Sequence, residues 1–211
     1  MVNLTEQVYK AINTLPRYNH LTPKEELPDN GIYIFFENGE NVWIDGKEVN
    51  RIVRIGTHKS DGLFKKRIRQ HYGAINSLNG NKNGSVFRKH LGGALLRRMN
   101  IEDVRLNEWL TQDGLSYREV EEMVSLVLRQ NFTFSCFRVD NIEERLELES
   151  AIIALLAQFH LGEPSHNWLG KYAASEKILQ ARLWNIQHIT SSPMTLEQFD
   201  KLCDLINISG R

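Results

Sequence analysis

Arg67 and His71 stand four apart in the run Phe64-Lys65-Lys66-Arg67-Ile68-Arg69-Gln70-His71-Tyr72. On a helix that spacing puts both side chains on one face. An arginine offers a planar, always-charged fork that fits a phosphate, and the histidine adds a second proton-bearing group beside it. Taken singly, each also reads as an ordinary solvated side chain. Glu149 carries more information. It lies in Leu148-Glu149-Ser150-Ala151-Ile152-Ile153, where Leu148, Ile152, Ile153, Leu155, Leu156 and Phe159 mark the buried side of a helix. A carboxylate at the edge of such a stripe is costly unless a cation meets it. A hard divalent ion such as Mg²⁺ or Mn²⁺ meets that need, and so does a neighbouring lysine.

The charge distribution points the same way. The chain has 26 basic and 26 acidic residues, a formal net charge of zero. Between Arg51 and Arg98, however, twelve lysines and arginines face a single acid, Asp61. One-sided basic charge is the footprint of a polyanion binder, or else a chance asymmetry on a soluble surface. The candidates for backbone contact are Lys65, Lys66, Arg69, Lys82, Arg88, Lys89, Arg97 and Arg98.

Other chemistries are excluded by their missing signatures. There is no Gly-x-x-x-x-Gly-Lys-Ser/Thr phosphate loop, no His-Glu-x-x-His zinc spacing and no Gly-x-Ser-x-Gly elbow. Two cysteines, Cys136 and Cys203, build neither a four-sulfur zinc site nor a disulfide framework. No run of 18 apolar residues predicts a membrane span, and Met1 to Lys10 lacks the apolar stretch of a secretory leader. A cytoplasmic location is the expectation.

Gly31-Ile32-Tyr33 opens one strand-like run, and Arg54-Ile55-Gly56 closes a later one. Arg67 follows on a helix, Glu149 on the apolar helix, and Asn167 three residues after Pro164. In that order these five elements resemble the GIY-YIG nuclease superfamily, over roughly residues 29–75 and 131–170. The resemblance implies a metal-dependent DNA endonuclease, closer in build to restriction-type members than to homing or repair members. It implies that Tyr33 takes the proton of the attacking water, Arg67 steadies the phosphate, Glu149 holds Mg²⁺ or Mn²⁺, and Asn167 keeps its loop in register. His71, and secondarily His58 after Gly56, would sit near the site. Glu147 is a competing acid that fits the family spacing less well. The sequence departs from the family at Arg54, which stands where the second tripeptide has tyrosine. A guanidinium there would stabilise a Tyr33 phenolate and preserve the mechanism, or it marks a scaffold that binds nucleic acid without cutting. One copy or a homodimer is equally compatible.

Leu4, Val8, Ile12 and Leu15 predict an N-terminal helix ended by Pro16. Ile32 to Phe36, Val42 to Ile44 and Arg51 to Ile55 read as a strand meander, with Asn38-Gly39 and Asp45-Gly46 as hairpin turns. Ser60 or Asp61 would cap a helix from Leu63 to Tyr72. Val86 to Met99 reads as a basic amphipathic helix, and Ser116 with Glu119 as a capping box. Phe132 to Val139 predicts a strand, and Asp140 with Glu143 the start of the helix through Phe159. Leu183 to Ile189 reads as a last strand, and Thr195 to Ile206 as a closing helix. The order predicts an α+β fold, a small, mostly antiparallel central sheet flanked by helices. We expect a single domain over residues 1–211, with a helical insertion at 76–130 and a C-terminal extension at 171–211.

Overall fold

The computed structural model describes residues 2–101, 104–111 and 116–209. Three antiparallel strands lie in the order β2-β1-β3: β1 is Gly31–Ile44, β2 Lys47–Gly56 and β3 Phe132–Arg138. Every residue of β1 from Gly31 to Glu37 is buried, because helices cover both faces of the sheet. That explains why the strand reads as a continuous apolar run without alternation.

One face, carrying Ile32, Ile34 and Phe36, packs against α1 (Val2–Asn13), α6 (Ile142–Gln158) and α8 (Leu196–Ser209). The opposite face carries Tyr33 and Phe35. It packs against α2 (Phe64–Tyr72), α3 (Val86–Arg98), α4 (Val104–Leu110) and α5 (Arg118–Asn131). A short α7 (Glu176–Ala181) adds Ile178 to that second core. Among the described residues no helix is long and apolar enough to cross a membrane.

Several local expectations are corrected by long-range contacts. Only Asp45-Gly46, both at positive φ, makes a hairpin turn. Asn38-Gly39 lies in an irregularity between the pairs Phe36↔Ile52 and Asn41↔Asn50, and β1 runs on through it. There Glu37 and Glu40 turn inward. Glu40 is gripped by Arg51 (2.7 Å) and Ser165, and Glu37 by the Trp184 indole. The segment 183–189 is not a strand. Trp184 donates one backbone hydrogen bond to Val53 O (2.7 Å) at the sheet edge. Helix α3 is not an exposed basic amphipath. Gly92 and Gly93 let α4 close in, with Trp109 and Leu110 filling the space a Cβ would take. The expected caps also move. Leu63 is the N-cap of α2 and offers no side-chain bond, while Asp61 pairs with Arg145 (3.0 Å). Ser116 bonds Glu121 instead of closing a capping box, and α6 is capped by Asn141, one residue past Asp140.

Candidate active site

The site is built where β1 and β2 run side by side. Tyr33 lies opposite Gly56, and Phe35 opposite Arg54. Because Gly56 has no side chain, the phenol of Tyr33 settles over it: a Cβ there would meet Oη at 2.2 Å. A one-residue bulge follows, since Phe36 pairs with Ile52 and Val53 is the extra residue. The bulge sends Val53 into the Tyr33 core while Ile52 and Ile55 face the other. Such bulges re-aim side chains. Arg54 thus sits diagonally beside Tyr33, its guanidinium lying over the Phe87 ring and donating to Trp184 O.

Helix α2 supplies the next partner. His71 is wholly buried, with Nε2 2.8 Å from Tyr33 Oη and Nδ1 2.8 Å from Ser85 Oγ. Burial, with the Arg67, Arg54 and Arg88 guanidiniums, holds its pKa well below the usual 6.5, so the imidazole is neutral. Ser85 also caps α3 by accepting the Arg88 N–H. When Ser85 donates its hydroxyl to Nδ1, the His71 Nε2–H donates to Tyr33. The phenolic oxygen then accepts from His71, with the Arg54 guanidinium close by. Ser85 was not singled out in the sequence; its only signal is a serine just ahead of a helix.

Glu149, on α6, arrives from the far end of the chain and accepts the Thr57 N–H at 3.0 Å through Oε1. Burial raises its pKa, and Arg54, the Thr57 N–H, Arg67 and Lys59 pull it back down. Its Oε2 accepts no hydrogen bond from the described residues. Glu147 is exposed and bonds Gln198, so it is turned away toward α8. Arg67 is half-buried. Its Nη1 donates to Gly84 O (2.9 Å) and Gln70 (3.1 Å), leaving the rest of the fork available.

Tyr33, Arg54, Arg67, His71 and Glu149 are therefore brought together, and two expected members are not. Asn167 is exposed, with only its backbone N–H bonded to Ser165. The buried amide is Asn185, whose Oδ1 accepts the Ile55 N–H (3.1 Å) and whose Nδ2 donates to Ile55 O (2.8 Å). It imitates a neighbouring strand along the edge of β2. His58 is a clamp: Nε2 accepts the Gly31 N–H (3.3 Å) and Nδ1 bonds Ser60 O (2.7 Å), using both nitrogens.

The basic residues divide by burial. Arg88 is 0 % exposed, with its fork consumed by Glu121 (2.6 Å), His71 O and Ser125. Lys82 is 1 % exposed and donates to Thr111 O and Asn83. These two brace the α2–α3–α5 junction from inside and offer a phosphate nothing. Lys66, Arg69 and Arg98 are exposed, and Lys89 is half-exposed. Lys65 pairs with Asp29 (2.8 Å), and Arg97 bonds Ala173 O (2.9 Å).

Among the described residues no three metal-ligating side chains converge. A single carboxylate with one open oxygen does not make a zinc or calcium cage, but it fits Mg²⁺, which keeps several waters and takes phosphate oxygens. A family model described as the GIY-YIG domain matches residues 2–208. No curated protein and no solved structure matches the chain.

Proposed function

The chain belongs to the GIY-YIG domain family, a family of nucleases, and we propose that it is a divalent-metal-dependent DNA endonuclease. The observation that carries this reading is the convergence of Tyr33, His71, Arg54, Arg67 and Glu149 from four separate elements. Two guanidiniums that among the described residues have no carboxylate partner of their own, Arg54 and Arg67, lie beside the Tyr33–His71 pair, which suits the site to an anion.

In this mechanism Arg67 holds the non-bridging oxygens of the scissile phosphate with the free part of its fork. Tyr33 oxygen, flanked by His71 Nε2–H and Arg54, takes the proton of a water whose oxygen forms the new P–O bond as the bond to the leaving oxygen breaks. Glu149 Oε2 would hold Mg²⁺ or Mn²⁺, which when bound supplies positive charge at the leaving oxygen. On this reading Arg54, in place of the usual tyrosine, puts a guanidinium beside the Tyr33 oxygen. Lys66, Lys89 and Arg98 would take backbone phosphates without reading sequence. Phe87 and Leu91 of α3 share a core with Tyr33 and Phe35, which supports one domain with residues 76–130 inserted in it, as in restriction-type members. Residues 171–211 then form a C-terminal extension, which contributes Asn185.

One observation favours a second reading, a module that binds DNA without cutting: Tyr33 is only 1 % exposed. Supercoiled plasmid incubated with Mg²⁺ or Mn²⁺ separates the two. Nicking by the wild type, abolished by chelation and by Glu149→Gln, supports the endonuclease. Tight, salt-sensitive DNA binding with no nicking on plasmid, linear or branched DNA establishes the module.

A further inference from the structure

Residues 57–63 lead from β2 into α2 and pass α6 on the way. Lys59 to Leu63 are all exposed, so packing does not hold them in place. Polar bonds do. The Gly62 N–H donates to Asn30 Oδ1 (2.8 Å) and the Phe64 N–H to Asp29 O (3.3 Å), which ties the segment to the entry of β1. Two more bonds tie it to α6. The Thr57 N–H donates to Glu149 Oε1 (3.0 Å), and Arg145 Nη2 donates to Asp61 Oδ1 (3.0 Å). Arg145 and Glu149 are four apart on α6, so both ties leave the same helix face.

Arg145 is an unusual residue to find holding a surface loop. It is wholly buried, and its Nη1 donates to Val139 O (2.9 Å) and Asp140 O (3.1 Å). Among the described residues its Nε has no partner, and Asp61, the carboxylate it meets, is 68 % exposed. A buried charge answered by a partner in solvent adds little stability, because desolvation offsets the attraction. What the pair does fix is geometry. One guanidinium joins the end of β3, the first turn of α6 and the loop ahead of α2. That loop occupies Glu149 Oε1 at its start and continues into the helix bearing Arg67.

We propose that Arg145 and Asp61 are positioning residues for the metal carboxylate. They hold the loop so that the Thr57 N–H keeps Glu149 Oε1 and leaves Oε2 oriented for a divalent ion, and they fix α6 against the helix that carries Arg67. Neither side chain touches the substrate. The inference rests on the endonuclease reading and adds to it two residues that act through Glu149.

Asp61→Ala is the test, since it removes the exposed half of the pair and leaves Arg145 on its two carbonyls. Binding of Mn²⁺ to the protein–duplex complex, followed by EPR with the signal of duplex alone subtracted, should weaken about tenfold, the usual effect of losing a group that orients a metal ligand. The Mn²⁺ concentration giving half-maximal nicking should rise by the same factor. Duplex affinity in EDTA should stay near that of the wild type. Asp61→Glu, which keeps the carboxylate, should recover most of the Mn²⁺ affinity. Asp45→Asn, in the exposed pair with Lys10 at the far end of β1, should match the wild type throughout. Unchanged Mn²⁺ binding by Asp61→Ala overturns the proposal. So does a loss of duplex affinity as large as the loss of Mn²⁺ affinity, because the pair would then support the fold alone. A wild type that binds Mn²⁺ and nicks DNA, beside an Asp61→Ala protein that does both equally well, removes only the pair. A wild type that does neither removes the nuclease reading and the pair with it.

Discussion

Replacing Gly56 by alanine tests whether the placement of the Tyr33 phenol matters to cleavage. The added methyl would lie 2.2 Å from Tyr33 Oη and 2.3 Å from Cζ, where ordinary contact begins at 3.4 Å. The ring must therefore retreat by about 1 Å, far enough to break its 2.8 Å hydrogen bond to His71. Gly56 does not have positive φ, so alanine adds no backbone strain and the effect is confined to the crowding. A 1 Å misplacement of a reacting group costs about 10²-fold, within the about 10²–10⁴-fold that a positioned proton acceptor supplies. Overpacking should lower stability by about 1–3 kcal/mol. Single-turnover nicking of supercoiled plasmid should slow by about 10²-fold or more, while anisotropy shows nearly unchanged affinity for duplex. Gly162→Ala, with open space around its Cβ, serves as the control. A folded Gly56→Ala protein that nicks within a few-fold of wild type would refute the role given to Tyr33.

Arg88→Met should destabilise the protein by about 3–5 kcal/mol, because Glu121 is left buried and unpaired; a stable variant with weakened DNA binding would return Arg88 to the interface. Asn185→Ala should cost about 1–3 kcal/mol in urea unfolding through the orphaned Ile55 backbone groups, whereas Asn167→Ala should stay within about 0.5 kcal/mol of wild type. Burial raises the Glu37 pKa from 4.5 to about 7, ahead of the opposing Trp184 bond. The folded state thus binds the proton more tightly than the unfolded state, and stability falls as pH rises across that interval, by about 3 kcal/mol in all. Glu37→Gln should flatten this part of the stability–pH curve; an unchanged slope would show that Glu37 does not titrate there.

The short-range signals in the chain were enough to place Tyr33 on a strand, Arg67 and His71 one turn apart on a helix, and Glu149 at the rim of an apolar stripe. Hydrophobic period, turn residues and (i, i+4) spacing are properties of neighbouring residues, so they survive in a linear reading. The tertiary structure decided which cations are available. Lys82 and Arg88 look no different from Lys66 and Arg69 as letters, yet α4 and α5 enclose the first pair and leave the second pair in solvent. It also chose Asn185 over Asn167, since only packing brings an amide 130 positions away onto the edge of β2. The Asn38-Gly39 turn signal likewise yielded to Arg51, Ser165 and Trp184, which pull Glu40 and Glu37 inside and keep β1 running through it. Local propensities are worth about 1 kcal/mol apiece, and leaving one partner of a buried ion pair or of an amide pairing unmatched costs more.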